Sequence, residues 1–151
     1  MSAERPAPAR PAAQSPVRVS PDRLRDLAHS VGHPVYWAGQ RPGGYELTVD
    51  VNGNIFIRYL PEGVPAGSRG ETSLTVATYQ FADAYGTLKA AAQRPGAIAS
   101  RTPDGGLVVA AGSTHNVHIA YPQRDIQIEV YDPHSGRALH LAVAGSIAPL
   151  M

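Results

Sequence analysis

The sequence predicts an α+β domain of two layers: an antiparallel sheet of about seven to nine strands with three helices on one face. Two observations carry this. Segments of alternating apolar and polar residues recur between turn residues, and consecutive segments are joined by turns too short for a parallel crossover. A third observation concerns symmetry. Asn54 to Tyr59 reads NIFIRY and Asn116 to Tyr121 reads NVHIAY, and each precedes a second alternating segment ending in Tyr, LTVATY at 74–79 and IQIEVY at 126–131. The first segments are offset by 62 (116 minus 54) and the second by 52 (126 minus 74), the difference being a 14-residue linker at 60–73 against a 4-residue one at 122–125. Upstream, Asp22, Leu27 and Pro34 match Asp83, Leu88 and Pro95 at an offset of 61. An internal duplication with a pseudo-two-fold axis is therefore expected, two copies closing one domain.

The expected organisation is a disordered Ala/Pro/Arg-rich tail over 1–19 and a single domain over 20–151. Within it, repeat 1 covers about 20–79, repeat 2 about 80–131, and a C-terminal helix about 133–144. Ser20 as N-cap, Pro21 at N1 and the apolar spacing of Leu24, Leu27, Ala28 and Val31 predict the first helix, which Gly32 and Pro34 end. Val35 to Ala38 is a short strand containing the only tryptophan, Trp37, a core residue. The hairpin from Tyr45 to Leu60 has one register that sorts its faces. With Val51, Asn52 and Gly53 as a three-residue loop, Val49 faces Ile55, Leu47 faces Ile57 and Tyr45 faces Tyr59, and Glu46, Thr48, Phe56 and Arg58 share the other side. Leu74 to Tyr79 continues the sheet. Asp83 caps a second helix whose apolar stripe is Phe81, Tyr85, Leu88 and Ala92, and Pro95-Gly96 ends it. Strands at 98–102 and 107–110 flank a Pro-Asp-Gly-Gly turn, the strands at 116 and 126 complete a meander, and Asp132 with Pro133 starts the third helix.

Composition narrows the functional classes. The formal net charge is +1. Arg5, Arg10 and Arg18 against Glu4 place +2 (3 minus 1) in the first 19 residues, leaving about −1 on the rest, so no nucleic-acid footprint is expected. With no cysteine, disulfides, thiolate metal sites and thiol catalysis are excluded. No run of about 18 apolar residues occurs, so no membrane span is expected; the chain reads as cytoplasmic if complete, and as cell-envelope if an anchor lies upstream.

The strings SVGHPVYWAG, YELTVDVNGNIFIRYLP and VHIAYPQRDIQIEVYDP resemble an uncharacterised family of actinobacterial proteins over roughly 20–150. That resemblance implies no activity. Members of that family often carry an N-terminal membrane or lipoprotein-type segment before an Ala/Pro-rich linker, and the sequence departs from that pattern, so the resemblance does not carry an envelope assignment over to it. More coarsely, a duplicated helix-plus-antiparallel-sheet unit is similar to the TATA-binding-protein-like saddle and to the photosystem P-subunit/Mog1-like folds, and fold analogy carries no function.

Few residues have reactive spacing. His115 and His118 fall on opposite faces of a strand, and Gly32 separates His29 from His33, so neither pair is a metal site. Asp132, His134 and Ser135 are too close in sequence for triad geometry, and helix capping explains Asp132. Nucleophile-elbow, phosphate-loop and dinucleotide patterns are absent. No catalytic residue, metal or cofactor is assigned. The remaining candidate is the sheet face away from the helices, where Phe56, Arg58, Tyr79, His118, Gln127, Glu129 and Tyr131 form a binding surface for a protein partner or a second copy of the chain. The alternative is a small hydrolase using His118 or His115 with Glu129, which requires His118 and Glu129 within hydrogen-bond reach inside a concave pocket. An accessory domain of a cell-envelope assembly is a third reading, and the loop 60–73 is a second candidate surface.

Overall fold

The computed structural model describes residues 16–68 and 73–151. In chain order its elements are β1 (Val17–Val19), α1 (Pro21–Ser30), β2 (Tyr36–Trp37), β3 (Gly44–Val49), β4 (Ile55–Leu60), β5 (Thr75–Gln80), α2 (Ala84–Ala92), β6 (Ile98–Arg101), β7 (Leu107–Ala110), β8 (Asn116–Ala120), β9 (Ile126–Tyr131), α3 (Arg137–Val143) and β10 (Ala148–Pro149). Eight strands form one open antiparallel sheet in the order β1-β3-β4-β5-β9-β8-β7-β6, and β10 pairs with β2 separately. This is an α+β fold.

The β3–β4 hairpin has the expected register, with Val49 opposite Ile55, Leu47 opposite Ile57 and Tyr45 opposite Tyr59. Asp50 fixes its loop: the carboxylate accepts the backbone N–H groups of Asn52 and Asn54 and the Asn54 side-chain amide, which holds its pKa below the usual carboxylate value against the opposing effect of burial. Gly53 takes φ +81°, which a side chain would resist.

The two halves of the sheet meet between β5 and β9. Their pairing runs Thr75 to Tyr131, Ala77 to Glu129 and Tyr79 to Gln127, so an exchange of the two strands at the offset of 52 maps the ladder onto itself, with Ala77 and Glu129 at its centre. The outer pairings obey the same relation. Phe56 sits opposite Ala77 as His118 sits opposite Glu129, and Ile57 opposite Val76 as Ile119 opposite Ile128. Because side chains alternate, one shared register places Ile55, Ile57, Val76, Val117, Ile119, Ile128 and Val130 on one inner face, all nearly solvent-free. Leu24 of α1 and Ala138, Leu141 and Ala142 of α3 pack into that core. Thr78, fully buried on the same face, accepts the Tyr36 backbone N–H at 3.0 Å, and the Tyr59 hydroxyl accepts from Ala38 and donates to Gly39. These polar contacts hold the β2 segment over the sheet without leaving its backbone unpaired.

Four details differ from the sequence expectation. Val17–Val19 is strand β1, pairing with Tyr45 to Leu47, so order begins before Ser20; residues 1–15 of the expected tail lie outside the described residues. The helices divide between the two faces. α1 and α3 lie on the inner face, whereas Ala84 and Leu88 of α2 pack on Leu107, Val109 and Ala120, which alternate onto the outer face. Asp83 takes the N-cap position of α2 at φ +54°, but its side chain caps no N–H. Finally, α3 starts at Arg137 instead of Pro133, because the Asp132 carboxylate accepts the His134 N–H in a tight turn and the chain becomes helical only after Gly136 at φ +81°.

Candidate binding face

Among the described residues, the outer face is covered at both sides and half-exposed in the middle. On the β7–β8 side, α2 lies over Ala120 and Leu107. On the β3–β4 side, the loop after β4 folds back: the Gly67 N–H donates to Glu46 Oε2 at 2.7 Å, and Arg18 Nη1 donates to the Val64 carbonyl. Beneath that loop Arg58 pairs with Glu46 at 2.9 Å and donates to the Ser68 hydroxyl, and both charged side chains are largely withdrawn from solvent. Between the two covers runs a half-buried strip containing Phe56, Tyr79, Gln127, Glu129, Tyr131, Asn116 and His118.

Glu129 organises the strip. The Tyr79 hydroxyl donates to Oε1 at 2.9 Å, Asn116 Nδ2 donates to Oε2 at 3.2 Å, and His118 Nε2 lies 3.3 Å from Oε2. The His118 hydrogen bond is the main influence holding the Glu129 carboxyl below its usual pKa, against the opposing effect of burial, and the Tyr79 and Asn116 bonds act in the same direction. The Tyr79 phenol is pushed well above its usual value, first by burial and then by the Glu129 charge it faces. Its proton stays on at neutral pH. Phe56 meets Tyr79 edge-to-face with centroids 5.6 Å apart, and on the other half the His115 ring tilts against Tyr131 with centroids 6.3 Å apart, contrary to the opposite-face expectation, because His115 precedes the regular strand β8. The strip thus offers two aromatic pairs flanking one hydrogen-bonded carboxylate.

Of the seven residues expected on this face, the structure brings six into the strip. Arg58 shares the face but is held beneath the loop. The hydrolase alternative finds its distance satisfied, His118 Nε2 lying 3.3 Å from Glu129 Oε2. The concavities of about 270 to 490 Å³ at the 41–42 and 132–137 turns, beside α2, at the 112–115 loop and beside α1 are lined by neither His118 nor Glu129. Nor, among the described residues, does His118 contact a hydroxyl or thiol it could activate. Asn116 was readable in the sequence, two positions from His118 on the same face. A further charged cluster was not: Arg41, Asp132, His134 and Arg137 line one cavity of about 300 Å³ from segments about 90 residues apart in sequence, and only folding assembles them.

No group of three or more His, Asp or Glu side chains suited to holding a metal occurs among the described residues, and no helix there is long and apolar enough to cross a membrane. In comparisons with family models, curated proteins and solved structures, nothing matches this chain.

Proposed function

We propose that the protein is a non-enzymatic binding domain, built from one strand unit used twice, that engages a protein partner across the half-buried strip of its outer sheet face, a second copy being the simplest partner. The supporting observation is the pairing of Phe56 with Tyr79 and of His115 with Tyr131 around a carboxylate whose donors are already in place. Aromatic surface supplies most of the energy of association at the centre of an interface, and a preset polar group fixes orientation. Covered margins suit this role, because α2 and the 61–68 loop leave a strip of defined width instead of an unlimited sheet surface.

Light scattering of the full chain tests the proposal, with wild type compared to the triple variant Phe56→Ala, Tyr79→Ala and Tyr131→Ala. The expected result is a wild-type dimer, or a partner-bound complex isolated from the native host, that the triple variant fails to form while retaining wild-type circular dichroism. Association unchanged by the three substitutions would move the interface elsewhere. The hydrolase reading keeps one favourable observation, the 3.3 Å approach of His118 to Glu129. It predicts that His118→Ala abolishes a hydrolytic activity without altering association.

A further inference from the structure

At the end of the sheet where β4 and β9 finish and β5 begins, a cavity of about 300 Å³ opens between the 41–42 turn and the 132–137 turn. Its walls are of two kinds. Tyr59, Leu74 and nearby prolines supply an apolar lining, Arg41 and Arg137 supply the cationic side chains, and His134 adds an imidazole. Among the described residues one anion opposes them, Asp132, whose carboxylate is almost fully buried.

Among the described residues the cavity's arginines outnumber its carboxylates. Asp132 accepts the His134 backbone N–H at 2.8 Å, holds His134 Nδ1 at 3.1 Å and faces Arg137 Nε at 3.7 Å. Among the described residues, the Arg41 guanidinium makes one hydrogen bond, from Nε to the Ala38 carbonyl at 3.2 Å. Among the described residues, two arginines therefore line the cavity against one carboxylate. Among the described residues, the contacts of both arginines engage Nε and leave the terminal Nη groups, the pair that grips a carboxylate or phosphate end-on. Asp132 fixes the direction of Arg137 and His134 from below, so the cavity's cations are held before any ligand arrives.

We propose that this cavity is a binding site for a small organic anion, one carboxylate or phosphate monoester on a compact apolar body, with Arg41 and Arg137 gripping the charged group and Tyr59 and Leu74 contacting the body. Asp132 is a positioning residue for Arg137 and His134. The site is separate from the half-buried strip of the sheet and does not depend on the function proposed for it. Mixed linings of this kind, apolar walls with a few convergent polar groups, are the usual form of small-ligand sites.

The test is a titration of the full chain, at fixed ionic strength, with phenyl phosphate, benzoate and inorganic phosphate, followed by calorimetry and by amide chemical shifts. The expected result is saturable binding of phenyl phosphate or benzoate, tighter than inorganic phosphate. Shifts should concentrate at residues 41, 59, 74, 134 and 137. Arg137→Gln and Arg41→Gln should each weaken binding by about tenfold or more. Arg137→Lys should recover part of the loss, since charge returns without the planar fork. Arg137 is the safer variant to fold, its side chain being 44% exposed. Absence of saturable binding by all three probes, shifts scattered over other surface arginines, or affinity unchanged in Arg137→Gln would each overturn the assignment. Inorganic phosphate binding as tightly as the aromatic probes would remove the apolar body from it, and with that the proposal as stated.

Discussion

In β4, Phe56 and Arg58 point outward; at the positions that the same strand pairing reaches in β8 stand His118 and Ala120. The inner residues hardly change between the halves, Ile55, Ile57 and Val76 against Val117, Ile119 and Ile128, and all are buried. What differs is the outer face and its cover. The first half carries the Glu46–Arg58 ion pair under the 61–68 loop, where the second has Leu107 and Ala120 under α2. At the junction Ala77 meets Glu129, so one half contributes an apolar position and the other a charge. One register can hold a common core while the opposite face is free to diverge, because alternation keeps the two faces physically separate.

The largest expected effects come from the shared face. Ile57→Ala and Ile119→Ala should each lower the unfolding free energy by about 4 kcal/mol, and by similar amounts, in urea denaturation. A large inequality would break the comparison at its core. Next comes the ion pair. Glu46→Ala or Arg58→Ala should cost about 3 kcal/mol by the same measurement, since the partner left behind is a mostly buried charge. Glu46→Leu combined with Arg58→Ala, which imports the second half's apolar pair, should cost less than either single change. A double variant worse than the singles would show that the loop, not the pairing, requires those charges. Phe56→Ala should cost about 1 kcal/mol beyond its lost burial through the missing edge contact with Tyr79.

The smallest effect is a pH dependence at the junction. Glu129 has a folded pKa below its ordinary value of 4.5, so its contribution to stability is fully present above that value. It is lost as pH falls through the lower, folded pKa. Glu129→Gln should therefore flatten the acid limb of the stability profile relative to wild type, with the two curves differing most above pH 4.5. Equal slopes in both proteins would mean that other carboxylates, such as Asp50 and Asp104, account for the acid loss.

Much of this arrangement was readable from the chain. The alternation of Tyr45 to Leu60 with Asn52-Gly53 at its turn sets one register, and that register decides which side of the sheet holds Phe56 and Arg58. The placement of α2 was not readable from its own stripe, since Ala84 and Leu88 fit either face. Yet the signal existed nearby: Leu107 to Ala110 is four apolar residues in succession, and a strand apolar on both sides is covered on both sides. β1 was hidden because Val17 to Val19 follows a Pro-rich stretch and owes its strand conformation to Tyr45 to Leu47. Asp132-Pro133 imitates a helix start, and only the bond from His134 to the Asp132 carboxylate shows the local turn that delays the helix. The cavity around Arg41 and Arg137 has no sequence pattern at all, because its members belong to distant turns.

The central claim is that the inner face of the sheet makes the fold and the outer strip is available for binding. It is tested most directly by His118→Phe together with Glu129→Ala, which gives the second half the outer residues of the first, with urea unfolding and light scattering measured on the same samples. The account predicts cooperative unfolding with a loss of about 2 kcal/mol from the hydrogen bonds Glu129 gives up, well short of that for Ile119→Ala, together with altered association. A loss as large as that of Ile119→Ala, with association unchanged, would contradict it.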